Sequence, residues 1–144
     1  MHRLIKIRVV RDLERLQERV RGFMQTVFES ACPEASFWPA ADFYETTRGL
    51  VLRMDLAGVA AEDLSITLAG QELVIRGRRR PPPSEGLCRF IHLEIGFGCF
   101  ERSFMLPIPV DFNNIQARQA DGILEVLLPR KTPGARSIPV KSVP

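Results

Sequence analysis

The sequence predicts an all-β, Ig-like antiparallel β-sandwich with an N-terminal amphipathic helical arm and an extended C-terminal tail. Three observations carry that expectation. From about residue 39 the apolar residues recur at every second position, such runs return about every 8–12 residues with turn residues between them, and no helical pattern intervenes. With 144 residues, 45% of them hydrophobic and 26% charged, the chain can close one core without disulfides or metal, because a domain of this size hides roughly 68–70% of its extended surface.

In residues 1–37, Leu13, Leu16, Val20, Phe23 and Val27 fall at steps of three and four, one stripe of a helix that Met24 and Phe28 widen. Asp12 and Glu14 lie at its start and Arg19 and Arg21 nearer its end, the order that suits the helix dipole. Cys32-Pro33 ends it. The opening MHRLIKIRVVRD is interrupted by charge throughout and lacks the unbroken apolar stretch of a secretory signal. No run approaches the roughly 18 apolar residues of a membrane span, so a cytoplasmic protein is expected.

Residues 38–131 hold the strands. After AADFYET comes GLVLRMDLA, where Leu50, Leu52, Met54 and Leu56 alternate with Val51, Arg53 and Asp55; in EDLSITLAG, Leu64, Ile66 and Leu68 alternate with Ser65 and Thr67. Gly70 turns the chain into ELVIRG, and CRFIHLE and GCFERSFMLP read as further strands. Residues 115–120 join residues 123–128 through Asp121-Gly122, a strong signal for a two-residue hairpin. Residues 132–144 are rich in proline and basic side chains without periodicity, which predicts an extended tail. Within it Ile138 and Val140 point the same way from an extended backbone, and Pro139 holds Ile138 extended beforehand, making a two-pronged plug.

No residues converge on a catalytic pattern, so no enzyme and no cofactor are expected. His92, between Ile91 and Leu93, has no second histidine, cysteine pair or nearby aspartate to offer a triad or ligand set and reads as an ordinary strand residue. Gly96-Phe97-Gly98 continues to Glu101 and a strand, a bend rather than a phosphate loop. Cys32, Cys88 and Cys99 are odd in number and widely spaced, which indicates neither a disulfide framework nor a zinc site. Arg76, Arg78, Arg79 and Arg80 read as charge that solvates a sheet edge. The net charge of +3 comes from the ends: residues 1–31 carry seven basic against four acidic groups, residues 129–144 four against none, and the stretch between them is acidic overall. A nucleic-acid-binding face is therefore not expected.

WPAADFYET, LVLRMDLAGVAAEDLSITLAGQELVIRGRR, GCFERSFMLPIPV and ARQADGILEVLLPR together resemble the α-crystallin domain of the small heat-shock proteins, over about residues 38–131. Ala117 followed by Asp121-Gly122-Ile123-Leu124 is similar to the family signature A-x-x-x-N-G-V-L, with Asp for Asn. Ile138-Pro139-Val140 resembles the family's C-terminal I-x-I/V anchor, and DLERLQERVRGFM the amphipathic start of bacterial members. The resemblance implies an ATP-independent chaperone that forms homodimers and larger oligomers and holds unfolding client proteins. It places client contact on the stripe from Leu13 to Val27. It implies that the loop of residues 81–95 crosses to a partner subunit, so that Phe90, His92 and Glu94 meet the strand of Asp42 and Tyr44. Arg102 shares a strand face with Phe100 and Phe104 and is expected to find a carboxylate at that dimer interface. Ile138 and Val140 are expected to plug a groove on a neighbouring copy lined by Ile66, Leu68, Ile115 and Ala117. Pro81-Pro82-Pro83 replaces the family's charged stretch, and Ala57-Gly58 its Pro-Gly turn. The rival reading is a CS-domain-like co-chaperone adaptor, which lacks the anchor and binds one folded partner.

Overall fold

Alternation makes the strands and the core together. The computed structural model describes residues 5, 7–10 and 37–134; the stripe from Leu13 to Val27 and the Ile138-Pro139-Val140 segment lie outside the described residues. The strands are β1 (Ile7–Val10), β2 (Ala41–Thr46), β3 (Gly49–Asp55), β4 (Leu64–Ala69), β5 (Glu72–Arg79), β6 (Gly98–Met105), β7 (Gln116–Ala120) and β8 (Ile123–Pro129), with one 3-10 turn at Ala61–Asp63. They form two sheets, ordered β1-β4-β5-β6 and β2-β3-β8-β7.

Every second residue of the central strands faces the partner sheet. Leu50, Leu52 and Met54 of β3 meet Leu124, Val126 and Leu128 of β8 in register, and Ile66 and Leu68 of β4 stand beside Ile75 and Leu73 of β5. Each of these side chains is at most 2% exposed, as is Phe100 of β6. The alternation read from Leu50 to Leu56 is thus the core face. Gly77 makes room for Phe100, since a Cβ there would lie 2.5 Å from the ring, and Phe37 meets that ring edge-on at 5.6 Å between centroids. The expected hairpin forms as well: Asp121 (φ 51°) and Gly122 (φ 77°) both take the left-handed conformation that a tight two-residue turn demands. Phe43 of β2 touches Phe104 of β6, so those two edges lie together and, by strand order, β1 lies toward β7 at the other end.

Three expectations are corrected. Ile7–Val10, inside the segment assigned to a helical arm, is a strand parallel to β4, pairing Ile7 with Ile66 and Val9 with Leu68. The sandwich is therefore antiparallel except at this edge. Ile5, Ile7 and Val9 carry a period of two with charged residues between them, and contact with the core decides in favour of the strand. Second, residues 88–94 form no strand; residues 80–96 are exposed without interruption and pair with no strand among the described residues. Third, the arginine run does not solvate an edge, because β5 lies between β4 and β6. Arg76 is 8% exposed and ion-paired to Glu101 at 2.6 Å. Arg79 lies 3.9 Å over the Phe37 ring and donates to the Gly96 carbonyl, and Arg80 clasps Asp63.

Candidate assembly edges

The β2 edge is open. β2 pairs with β3 on one side, and among the described residues nothing pairs with its other side. A row of unpaired backbone groups on such an edge is a template for a strand from another chain. Asp42 and Tyr44 are exposed there, and so are Phe90, His92 and Glu94 on the loop between β5 and β6. That loop also exposes Leu87 (49%), Ile91 (81%), Leu93 (64%) and Ile95 (66%). A long loop without secondary structure of its own is uncommon in a compact domain unless it has work to do, and large apolar side chains gathered on one segment mark a contact surface. Ile91, Leu93 and Ile95 fall at alternate positions, so one face of the extended loop is apolar, as a pairing strand requires.

Arg102 sits behind this edge with a partner of a different kind from the one expected. Its guanidinium donates to the Pro39 carbonyl at 2.6 Å and lies 4.2 Å over the Trp38 ring and 5.2 Å from that of Phe104. Its neighbour across the sheet is Ile75, and the adjacent Glu101 is engaged by Arg76, so no carboxylate among the described residues stands opposite it. A carbonyl dipole and two ring faces satisfy the cation instead. The effect is to pin residues 38–39 against β6 just before the chain enters β2. Trp38 and Pro39 carried no sequence signal for this role.

The edge of β4 is closed from within. The four residues expected to line a groove divide: Ile66 and Leu68 are buried, whereas Ile115 and Ala117, at the start of β7, are partly buried and pack on the same core. β1 is seated along β4, with Ile7 packed against the core and Ile5 only 8% exposed. Sequence reading missed this occupant, although the alternation Ile5, Ile7, Val9 was the available signal.

Chemistry elsewhere is sparse. Among the described residues no group of three His, Cys, Asp or Glu is placed to hold a metal ion. His92 is exposed on the loop rather than in a strand. Cys99 on β6 is disulfide-bonded, which corrects the reading that set disulfides aside; Cys88 is a free exposed thiol, and Cys32 lies outside the described residues. Spacing along a chain does not report which thiols a fold brings together. The two hydrogen bonds from Arg80 hold the Asp63 carboxyl below its ordinary range, against the opposing effect of burial.

These features define a class: a small two-sheet β-sandwich whose β2 edge is unpaired among the described residues and whose β5–β6 loop exposes apolar side chains. Residues 42–143 match the Hsp20/alpha crystallin family, and the chain belongs to that family. It is similar to the spore protein SP21 of Stigmatella aurantiaca, 35% identical over 96 residues that cover 67% of this chain and 57% of that one. The small heat shock protein C2 of Rickettsia felis is 32% identical over 113 residues, covering 78% of this chain and 73% of its own. Among solved structures, a small heat-shock protein from Xylella fastidiosa superposes with a TM-score of 0.65 at 30% identity, over 75% of this chain and all of that one.

Proposed function

We propose that the protein is an ATP-independent holdase that dimerises through the open β2 edge, assembles further through its C-terminal tail and binds unfolding proteins. The observation that carries this reading is the open edge together with the exposed apolar loop of residues 80–96. Burial of a large apolar side chain is worth about 1.5–3 kcal/mol, so the loop has ample reason to find a partner. A loop reaching from each copy to the β2 edge of the other satisfies two edges at once.

Family membership supports the chaperone reading, and the Xylella protein is described as having a distinct high-order structure. The family match and the Rickettsia and Xylella proteins named above are of the heat-shock family, so the adaptor reading is not carried further. In this proposal Phe90, His92, Glu94, Asp42, Tyr44 and Arg102 shape the dimer. Ile138, Pro139 and Val140 anchor larger assemblies at Ile66, Leu68, Ile115 and Ala117 of a neighbour, and Leu13, Leu16, Val20, Phe23 and Val27 hold clients. No catalytic step, cofactor, nucleic acid or membrane is involved. The proposed compartment is the cytoplasm; the Cys99 disulfide sits poorly with a reducing compartment, and thiol labelling of protein taken directly from cells decides between them.

The test is suppression of a heat-labile enzyme's aggregation in the absence of ATP, run beside a native-mass measurement. Protection at near-stoichiometric ratios by a particle of dimer size or larger is expected. A monomer that leaves aggregation unchanged overturns the reading.

A further inference from the structure

We propose that the β4 edge is a docking surface with two mutually exclusive occupants: β1 of the same chain, and the Ile138-Pro139-Val140 segment of a second copy. This rests on the anchor role proposed above and deepens it, because assembly through the tail then requires β1 to leave first.

β1 shows what the edge accepts. It pairs with β4 over only four residues, Ile7 to Val10, and its alternate side chains Ile7 and Val9 stand over Ile66 and Leu68. Arg8, between those two prongs, is exposed. The tail segment has the same form, with apolar prongs at alternate positions and a residue between them that cannot extend the sheet. Successive residues of a strand turn their N–H groups to opposite sides, so Pro139 facing solvent costs no hydrogen bond while Ile138 and Val140 bond to β4. Proline on the outside and arginine on the outside both discourage a further strand. The tripeptide Ile-Pro-Val also occurs earlier in the chain, at Ile108-Pro109-Val110. There Val110 is 2% exposed and Ile108 is partly buried against the core, so this sandwich already packs both prongs of that tripeptide once.

One edge strand has one free side, so β1 and a docked tail cannot both pair with β4. The eight peptide steps from Arg130 to Ile138 span at most about 28 Å when extended, enough to leave their own sandwich for a neighbour. A four-residue strand held on one side lies at the low-stability end of a fold, where local opening precedes global unfolding. Warming would then open the β4 edge before it threatens the core.

The experiment uses the full chain carrying Ile138→Ala and Val140→Ala, so that its own tails do not compete, and a labelled synthetic peptide of residues 135–144. Arg8→Cys with Thr67→Cys, which are register partners, locks β1 onto β4 when oxidised and frees it when reduced; the same reductant on the chain without this pair controls for Cys99. Anisotropy titration is expected to show at least tenfold tighter peptide binding after reduction. Ile7→Asp, in a chain without the lock, is expected to tighten binding to a similar degree. Equal binding to locked and released chains overturns the mutual exclusion and leaves the anchor role standing. Binding to none of the chains overturns the anchor role and this inference with it.

Discussion

The edge of β4 and the edge of β2 present the same hazard and are treated in opposite ways. Along β4 the chain returns its own N-terminal residues, Ile7 to Val10, and covers the edge with a short strand whose Arg8 is exposed. Along β2 six residues stay unpaired on one side among the described residues, and the segment proposed to suit them, residues 80–96, hangs exposed from the other sheet. A covered edge must be opened before another strand can use it; an open edge and an exposed apolar loop are, in the proposal above, completed by a second copy.

The largest effect is expected at the open edge and the loop. Ile91→Asp, Leu93→Asp and Ile95→Asp together remove three apolar contacts, about 4 kcal/mol or more, which weakens a dimer roughly a thousandfold. Sedimentation should then find folded monomers with an unchanged β-rich circular dichroism spectrum. An undiminished dimer would mean that the loop is not the pairing element. Next comes the covered edge: Ile5→Ala should cost about 2 kcal/mol of unfolding stability, at the low end for a buried residue because it flanks an edge strand. Urea unfolding measures it, and a negligible cost would mean that β1 is barely held.

A smaller effect is expected at Arg102. Arg102→Ala gives up one hydrogen bond and the contact with Trp38, together about 1–2 kcal/mol. Trp38 is the only tryptophan, so its fluorescence should shift if the guanidinium holds it, and stay unchanged if it does not. The smallest effect is expected at the exposed clasp of Arg80 and Asp63. The carboxyl's pKa is lowered in the folded chain chiefly by hydrogen bonding to Arg80, so its contribution is present above the ordinary aspartate range and is lost as pH falls through the lowered value. Asp63→Asn should flatten that part of the acid limb in a stability profile; an identical limb would show that the clasp contributes nothing.

What was legible in the sequence was whatever the chain settles by itself. Leu50, Leu52 and Met54 alternate because one sheet face is buried, and Asp121-Gly122 turns because both residues tolerate a positive φ; neither needs a distant partner to be read. Residues 88–94 alternate like a strand, but a strand is realised by pairing, and no edge of the same chain pairs with them. The Ile5, Ile7, Val9 pattern was masked by the longer helical stripe that follows it, and only its contact with the core distinguishes it. Arg102 and Cys99 depended on proximity: Pro39 and Trp38 come from a distant part of the chain, and a disulfide leaves no trace in the spacing of three cysteines.

The most direct measurement of the central claim, that the loop of one copy completes the β2 edge of another, is an oxidative cross-link. A chain with Tyr44→Cys and another with His92→Cys, both carrying Cys88→Ser to remove the free loop thiol, are mixed, allowed to exchange subunits and oxidised. A disulfide-linked heterodimer should form in high yield from the mixture and not from either chain alone. A double-substituted chain that closes the bond within itself, with no linked heterodimer from the mixture, would contradict the claim.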